Sequence, residues 1–139
     1  MRLWDYRLIP YLPKSQLLAQ WRELNSIFKK QDKHILINYI YDYPKMFLYD
    51  YSLLVREEMN KRGYKIKTLE NHDDYFEWAK FDNNPSWRTK RNNHFREHNN
   101  EYLIICYYNL KEKYLRGQKD FTKEIWDKLE EFYKKEINK

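Results

Sequence analysis

The sequence predicts an all-α protein: a single compact helical domain over residues 1–139, with an extended N-terminal arm packed near the first helix. Apolar residues recur at helical spacing in several long segments. Only two glycines and four prolines leave few turns, which favours long helices over a strand-rich fold. Aromatic residues make up 19% of the chain. The low mean hydropathy of -1.08 therefore reflects charge around an aromatic core rather than disorder.

The first predicted element is the arm, residues 1–14, because Pro10 and Pro13 disfavour an early helix there. Ser15 is a suitable N-cap for a helix that runs to about Lys29. The apolar residues of this helix lie on one side and mark its buried face. They are Leu17, Trp21, Leu24 and Phe28.

The next stretch contains a run whose structure the pattern leaves open, followed by a second helix. Residues 35–40 are mostly apolar and fit either a strand or a helix. The sequence Asp42-Tyr43-Pro44 predicts a cap with a proline in the first helical turn. This second helix is expected to end at Gly63, because glycine favours the left-handed conformation that stops a helix.

Three further elements complete the predicted domain. A short helix starts at Asn71 or Asp73, and residues 82–96 form a loop rich in asparagine. A long helix from about Glu97 to Leu115 is apolar on nearly all sides, which predicts a place at the centre of the bundle. Thr122 opens a final amphipathic helix.

The charge balance fits either a polyanionic partner or simple solubility. The net charge is +6, and nucleic acid is the commonest polyanion. The loop at 83–96 contains four cations, no acidic residue and two aromatic residues. Cations can neutralise phosphates while aromatic rings stack on or wedge between bases; the alternative is a solvated loop anchored by its tryptophan. These residues are Arg88, Lys90, Arg91, Arg96, Trp87 and Phe95.

Several kinds of site are excluded by the residues present. Cys106, the only cysteine, lies in an apolar run and is predicted to be in the core. A single cysteine cannot form a disulfide, a cysteine-rich zinc motif or a thiol-pair redox site within one chain. His94 and His98 are four residues apart, but no nearby cysteine completes a site, and we expect no metal. Two glycines cannot build a glycine-rich phosphate loop, and we expect no cofactor. Without a signal region or a span of ~18 apolar residues, we expect a cytoplasmic protein with no membrane partner.

Glu23 is a candidate for chemistry that begins at the chain's own amine. Arg22 and Glu23 lie beside the apolar stripe of the first helix and point in different directions. An α-amino group has a pKa near ~7.7–8.0, against ~10.4 for lysine, so much of it is neutral and nucleophilic near neutral pH. Such an amine can form a Schiff base with a sugar aldehyde, while a nearby carboxylate stabilises positive charge and moves protons. The alternative is a surface glutamate paired with Arg22, Lys29 or a cation of the loop.

Segments spread over most of residues 1–116 carry a resemblance to a known family. They are Leu17-Leu18-Ala19-Gln20-Trp21-Arg22-Glu23-Leu24 with Phe28, then Lys33-His34, then Glu57-Glu58-Met59-Asn60-Lys61-Arg62-Gly63-Tyr64, then His98 with Tyr102, Cys106, Asn109-Leu110 and Lys111-Glu112-Lys113. In this order and spacing they resemble the pyrimidine-dimer DNA glycosylase family of the phage endonuclease V type. The start Met1-Arg2-Leu3-Trp4 is similar to a bacterial branch of that family.

The resemblance implies an all-α DNA repair enzyme, an N-glycosylase with abasic-site lyase activity on damaged double-stranded DNA, with pyrimidine dimers as the expected lesion. In this family a free N-terminal amine attacks C1′ of the damaged nucleotide and forms an imine, and β-elimination then cuts the strand. The family's essential glutamate falls on Glu23, and Met1 is expected to supply the amine of a monomeric enzyme. The expected DNA contacts are Arg2, Arg22, Lys33, His34, Arg88, Lys90 and Arg91.

Departures from the family pattern keep two other functions open. Removal of Met1 generally requires a small second residue, so Arg2 implies that Met1 remains and that the arm is one residue longer. Gln16 and Ser26 replace a histidine and an arginine that contact DNA in the family, and the family's aromatic C-terminal segment is not recognisable. The alternative is a non-enzymatic DNA-binding module on the same fold. A helical interaction protein whose charge gives only solubility is the third possibility.

Overall fold

The structure, a computed structural model, describes residues 1–67, 69–77 and 93–139. Within these ranges the chain forms five α-helices, two 3-10 helices and no strand, so the all-α prediction is confirmed. None of the helices described there combines the length and the apolar character needed to cross a membrane. The elements are a first 3-10 helix Tyr6–Tyr11, α1 Lys14–Lys30, a second 3-10 helix Asn38–Asp42, α2 Lys45–Lys61, α3 Glu70–Tyr75, α4 Asn100–Leu115 and α5 Lys123–Ile137.

The N-terminal arm contains a helical turn that the proline argument missed. Residues Tyr6–Tyr11 form a 3-10 helix with Pro10 inside it, so the expectation of an extended arm is wrong for this segment. A 3-10 turn tolerates proline near its end when the missing N–H is not needed there. The Asp5 side chain caps the turn by accepting from the Arg7 backbone N–H at 3.0 Å. The buried Asp5 carboxylate also pairs with the Arg7 guanidinium.

Helix α1 begins at Lys14, and the residue that satisfies its first turn is distant in sequence. The N-cap position is Pro13, which has no side-chain cap, so the prediction that Ser15 caps this helix is wrong. The Ser15 backbone N–H instead donates to Asp120 Oδ2 at 2.6 Å, and its hydroxyl donates to Oδ1 at 2.9 Å. A carboxylate at the positive end of a helix is favourable for its charge as well as its hydrogen bonds. The start of α1 is therefore fixed by the turn between α4 and α5.

The core lies between α1, α2 and their neighbours. Helix α1 packs against α2 and α3, and the first 3-10 helix lies against α2 and α5. The predicted buried stripe of α1 is confirmed, since all four of its residues are buried: Leu17, Trp21, Leu24 and Phe28. Cys106 is also buried, as predicted.

The open run at 35–40 is neither a strand nor an α-helix. It forms a turn that leads into the second 3-10 helix, with Ile37 and Ile40 buried and Ile35 exposed. Asp42 ends that 3-10 helix and does not cap α2, whose N-cap position is Pro44. Gly63 has φ +82° and follows the end of α2, as its left-handed stop role predicts.

Helix α4 has one buried side and one exposed side. It begins at Asn100 because the Asn99 side chain caps it by accepting from the Tyr102 N–H at 3.0 Å. His94 and His98 lie before this start and do not share a helical face. The buried residues of α4 are Leu103, Cys106, Tyr107 and Leu110, and its exposed apolar residues are Ile104, Ile105, Tyr108 and Leu115. The prediction that α4 occupies the centre of the bundle is therefore wrong.

Helix α5 starts as its sequence predicts. The Thr122 hydroxyl accepts from the Ile125 N–H at 3.2 Å and caps the helix. Its apolar side includes the buried residues Trp126 and Leu129, while its outer side carries charged residues. Phe132 of α5 stacks on Tyr11 with ring centres 4.5 Å apart. This contact joins the C-terminal helix to the arm.

Candidate active site

Gln20 on α1 grips the backbone of the N-terminal arm. Its Oε1 accepts from the Trp4 N–H at 2.8 Å, and its Nε2 donates to the Arg2 carbonyl at 3.1 Å. A side-chain amide that accepts from one backbone N–H and donates to a nearby backbone carbonyl fixes both the position and the direction of that backbone segment. The arm therefore runs beside the middle of α1.

Two tyrosines from other helices hold the next carbonyls of the arm. Tyr51 on α2 lies with its hydroxyl oxygen 2.6 Å from the Trp4 carbonyl. Tyr102 on α4 donates its hydroxyl to the Leu3 carbonyl. Carbonyls of three consecutive residues are thus hydrogen-bonded to side chains from three different helices. Because these bonds are directional and largely buried, they define the path of the backbone up to the first residue.

Glu23 lies beside the start of the arm, half-buried on α1. Its Oε2 accepts from Gln20 Nε2 at 3.2 Å. Burial raises the pKa of Glu23, and the charge of the chain's N-terminus, the Arg2 backbone N–H and the charges of Arg22 and Lys113 act in the opposite direction. The raised pKa shows that desolvation is the larger effect, so this carboxyl group takes up protons more readily than an exposed one.

The first two residues differ in how they are held. Met1 is 37% exposed, so its end of the arm is open to solvent. The Arg2 guanidinium lies 5.9 Å from the Trp4 ring and 5.7 Å from the Tyr102 ring, within range of cation–π attraction. The structure therefore brings together three of the predicted site residues: Met1, Arg2 and Glu23.

The other expected DNA contacts lie elsewhere or outside the described ranges. Arg22 is exposed next to Glu23. The Lys33 amine lies 3.8 Å from the centre of the Tyr41 ring, and His34 Nδ1 accepts from the Leu36 N–H at 3.1 Å. Both residues lie in the segment between the end of α1 and the second 3-10 helix. Arg88, Lys90 and Arg91, together with Trp87, fall outside the described residues.

Residues 93–96, the end of the predicted loop at 82–96, are described by the structure. They correct the expectation for Phe95. Phe95 is buried, with its ring against those of Tyr39 and Tyr43. It is a core residue, and the expectation that it offers a stacking surface is wrong. Arg96 is exposed, and its backbone N–H donates to the Tyr43 hydroxyl at 3.1 Å.

The buried His98 supports the arm through both of its ring nitrogens. Nδ1 accepts from the Tyr6 backbone N–H at 3.2 Å, which places the ring proton on Nε2, 2.6 Å from the Tyr39 hydroxyl oxygen. Burial lowers the pKa of His98 to about 4, so the ring is neutral at physiological pH. In the part of the chain that is described, no group of three His, Cys, Asp or Glu side chains could hold a metal ion.

Four residues around this site were not predicted as part of it: Gln20, Tyr51, Tyr102 and Lys113. Gln20 had a detectable signal, because it lies three residues after Leu17 and four before Leu24, on the apolar side of the helix. A polar side chain in such a position requires a specific hydrogen-bond partner. Tyr51 and Tyr102 have the spacing of ordinary core residues, and Lys113 lies far from the arm in sequence. The sequence therefore contains no sign that these three residues lie near the arm.

Comparison with known proteins identifies the family on the part of the chain that carries this site. No curated protein and no solved structure matches the chain. The sequence model for pyrimidine dimer DNA glycosylases matches residues 1–71, slightly more than half of the 139 residues. The match includes the arm, α1 and α2, and so Met1, Gln20, Glu23 and Tyr51. The chain belongs to the pyrimidine dimer DNA glycosylase family, whose members are DNA repair enzymes that act on DNA.

Proposed function

We propose that this DNA glycosylase is also an abasic-site lyase and that it works through an imine between the Met1 amine and C1′ of a damaged nucleotide. The observation that carries the proposal is the position of Glu23. The N-terminal charge and the Arg2 N–H both act on this carboxylate, and its burial raises its pKa. A nucleophilic amine and a proton-accepting carboxylate in one place are the two groups that this chemistry needs.

The first stage of the proposed reaction exchanges the base for the amine. The neutral Met1 amine attacks C1′, the bond from C1′ to the base breaks, and the base leaves with the electron pair and takes up a proton. The bond between C1′ and O4′ then breaks, O4′ keeps the electron pair and takes up a proton from solvent, and the nitrogen lone pair completes the C=N bond of a protonated imine. The Glu23 carboxylate stabilises the positive charge that develops at C1′.

The second stage cuts the strand. Glu23 removes a proton from C2′, and the electron pair forms the C2′–C3′ double bond as the C3′–O bond breaks and the 3′ phosphate leaves. Water then hydrolyses the imine and returns the amine. A carboxyl group with a raised pKa suits this role because its acid and base forms are closer in energy near neutral pH.

The remaining parts of the proposal concern the substrate and the state of the protein. The substrate is damaged double-stranded DNA with pyrimidine dimers as the lesion, because a lesion that weakens pairing lowers the cost of reaching C1′ in a duplex. Arg2, Arg22, Lys33 and His34 are the proposed DNA contacts within the described residues. We also propose that residues 1–139 act as one domain and as a monomer. The Ser15–Asp120 and Tyr11–Phe132 contacts between the two ends of the chain support the single domain.

Reductive trapping tests this proposal. Borohydride added to the protein and a duplex with one abasic site is expected to give a covalent complex, and mass spectrometry is expected to locate the adduct on the Met1 nitrogen. Acetylation of the N-terminus is expected to abolish the complex. If wild-type protein gives no adduct, the lyase proposal is wrong. Salt-dependent DNA binding without cleavage of dimer-containing or abasic DNA would favour the non-enzymatic module instead.

The role of Glu23 is tested separately. Glu23→Gln is expected to bind DNA but to lose about 10²-fold or more in strand cleavage, the usual size of a general acid–base contribution. Glu131→Gln is the matched control, because Glu131 lies on the exposed side of α5 and pairs only with Lys135 at 3.1 Å among the described contacts. Full turnover by Glu23→Gln would remove Glu23 from the mechanism.

A further inference from the structure

We propose that Gln20 is a positioning residue, whose single amide holds the N-terminal amine and the Glu23 carboxylate in one arrangement. This inference rests on the proposed lyase function. It assigns a task to Gln20, a buried polar residue on the apolar side of α1.

The orientation of the Gln20 amide follows from its contacts. The side chain is 1% exposed, so its polar atoms depend on protein partners. Only the oxygen can accept from the Trp4 N–H, which lies 2.8 Å away. The NH2 group must therefore face the opposite side of the amide.

The two protons of that NH2 group are directed at the two halves of the site. One donates to the Arg2 carbonyl at 3.1 Å, and the other donates to Glu23 Oε2 at 3.2 Å. The backbone of Arg2 in the arm and the carboxylate of Glu23 are thus hydrogen-bonded to the same nitrogen. A rotation of the amide would break both bonds together.

Tyr51 makes such a rotation costly. Its hydroxyl oxygen lies 2.9 Å from Gln20 Oε1 and 2.6 Å from the Trp4 carbonyl, and the tyrosine is 3% exposed. A buried amide enclosed by these partners has one orientation that satisfies its hydrogen bonds. The Gln20 nitrogen is therefore a fixed donor for Glu23.

This donor has a chemical consequence for Glu23. A hydrogen bond to a carboxylate favours the charged form and opposes the desolvation that raises the pKa of Glu23. Loss of the donor should raise this pKa further, and loss of the clamp should free residues 2–4. An error of about 1 Å in the placement of a reacting group can reduce a rate about 10²-fold.

Two variants at position 20 separate these effects. Gln20→Leu removes the clamp and the donor, and its single-turnover lyase rate at pH 7 is expected to fall about 10–100-fold with little change in DNA affinity. Gln20→Glu keeps an acceptor for Trp4, removes the donor and adds a like charge beside Glu23. Its acid limb in the pH–rate profile is expected to move to higher pH by about one unit. The control is Asn60→Asp, which adds the same charge on the exposed side of α2 and is expected to leave the rate and profile unchanged.

A second measurement does not depend on activity. NMR titration of the Glu23 carboxyl carbon is expected to give a higher pKa in Gln20→Glu than in the wild type and an unchanged one in Asn60→Asp. The inference is wrong if folded Gln20 variants, judged by circular dichroism and thermal unfolding, keep the wild-type rate, profile and Glu23 titration. If Gln20→Leu fails to fold, the nearly isosteric Gln20→Glu decides. Failure of the wild-type trap would instead overturn the lyase proposal and leave the titration result standing.

Discussion

The N-terminal arm and helix α5 both bury apolar side chains in the same core, and the arm is held in addition by side-chain hydrogen bonds to its backbone. The additional hydrogen bonds run from the buried Gln20 and Tyr51 and the half-buried Tyr102 to successive backbone carbonyls at Arg2, Trp4 and Leu3. Helix α5 is held by an apolar side and carries exposed ion pairs four residues apart on its outer side. Apolar packing is non-directional and tolerates small shifts, whereas hydrogen bonds fix atoms. The difference teaches that apolar burial stabilises both regions, whereas the hydrogen bonds to consecutive carbonyls also fix the position of the arm.

The largest expected effect is on α5 and should leave the site intact. Trp126 is buried and stacks on Tyr114 with ring centres 5.1 Å apart. Trp126→Ala is expected to lower the free energy of unfolding by about 3–5 kcal/mol, because it creates a large cavity. Urea denaturation measures this loss. The rate of the proposed lyase reaction in the folded fraction is expected to stay within about twofold of the wild type, and a loss like that of the Gln20 variants would contradict the comparison.

Acid is expected to weaken the arm region next. The pKa of His98 is lowered to about 4 by burial, against 6.5 when unfolded, so the unfolded chain takes up the proton first as pH falls. The stability contributed by the neutral ring is therefore present above pH 6.5 and is lost between 6.5 and about 4. His72, also buried with its pKa lowered to about 4, acts in the same direction.

Denaturation at pH 7, 6 and 5 measures this effect. His98→Gln is expected to reduce the dependence of unfolding free energy on pH by about 1 kcal/mol per pH unit near pH 5. Trp126→Ala serves as the control, because it lowers stability without removing a titrating group. An identical slope in His98→Gln and the wild type would mean that His98 is not neutral in the folded protein.

A matched pair of Tyr→Phe changes compares the two regions directly. Tyr51→Phe removes a buried hydroxyl from the Trp4 carbonyl and from Gln20, and is expected to cost about 1–3 kcal/mol. Tyr107→Phe removes a hydroxyl that bonds Glu130 of α5 at 3.1 Å, and is expected to cost less than about 1 kcal/mol. Thermal unfolding measures both costs. Only the Tyr51 variant is expected to slow the proposed lyase step, and equal rates in the two variants would show that this hydroxyl does not position the arm.

The smallest expected effect is a gain in stability at the site itself. Since burial raises the pKa of Glu23, its charged form is disfavoured in the folded protein. Glu23→Gln is expected to raise the melting temperature by no more than about 1–2 °C at pH 7, because solvent screens this half-buried carboxylate. The difference should shrink as pH falls and Glu23 itself becomes neutral. Calorimetry at pH 7 and pH 4 tests the sign, and a lower melting temperature at pH 7 would show that the N-terminal charge outweighs desolvation.

The sequence predicts helices better than it predicts the contacts between them. The stripe from Leu17 to Phe28 and the cap at Thr122 were predicted because helical periodicity and capping act over a few residues. The prediction that Ser15 caps α1 is wrong because its hydrogen-bond partner, Asp120, is 105 residues away. The prediction that α4 is central is wrong because apolar residues such as Tyr108 and Leu115 are exposed, and periodicity alone does not distinguish exposed apolar residues from buried ones.

The candidate site also contains residues that the sequence predicts and residues whose roles depend on distant contacts. Glu23 was predicted from its place beside the buried stripe together with the resemblance of the surrounding residues. Gln20 was within the same eight-residue motif, yet its task depends on an arm that no local pattern can place. The role of Tyr102 depends on its contact with Leu3, which lies 99 positions away in the sequence, so no local pattern predicts it.

The contacts from Leu3 to Tyr102 and from Ser15 to Asp120 also constrain when the site can form. They join residues 99 and 105 positions apart, and closing such long loops is slow compared with forming helices. A chain emerging from the ribosome as far as residue 71 already carries Met1, Gln20, Glu23 and Tyr51. It still lacks the tyrosine that holds Leu3 and the carboxylate that satisfies the first turn of α1. The amine is therefore expected to reach its working position only after α4 and the turn that follows it have been synthesised.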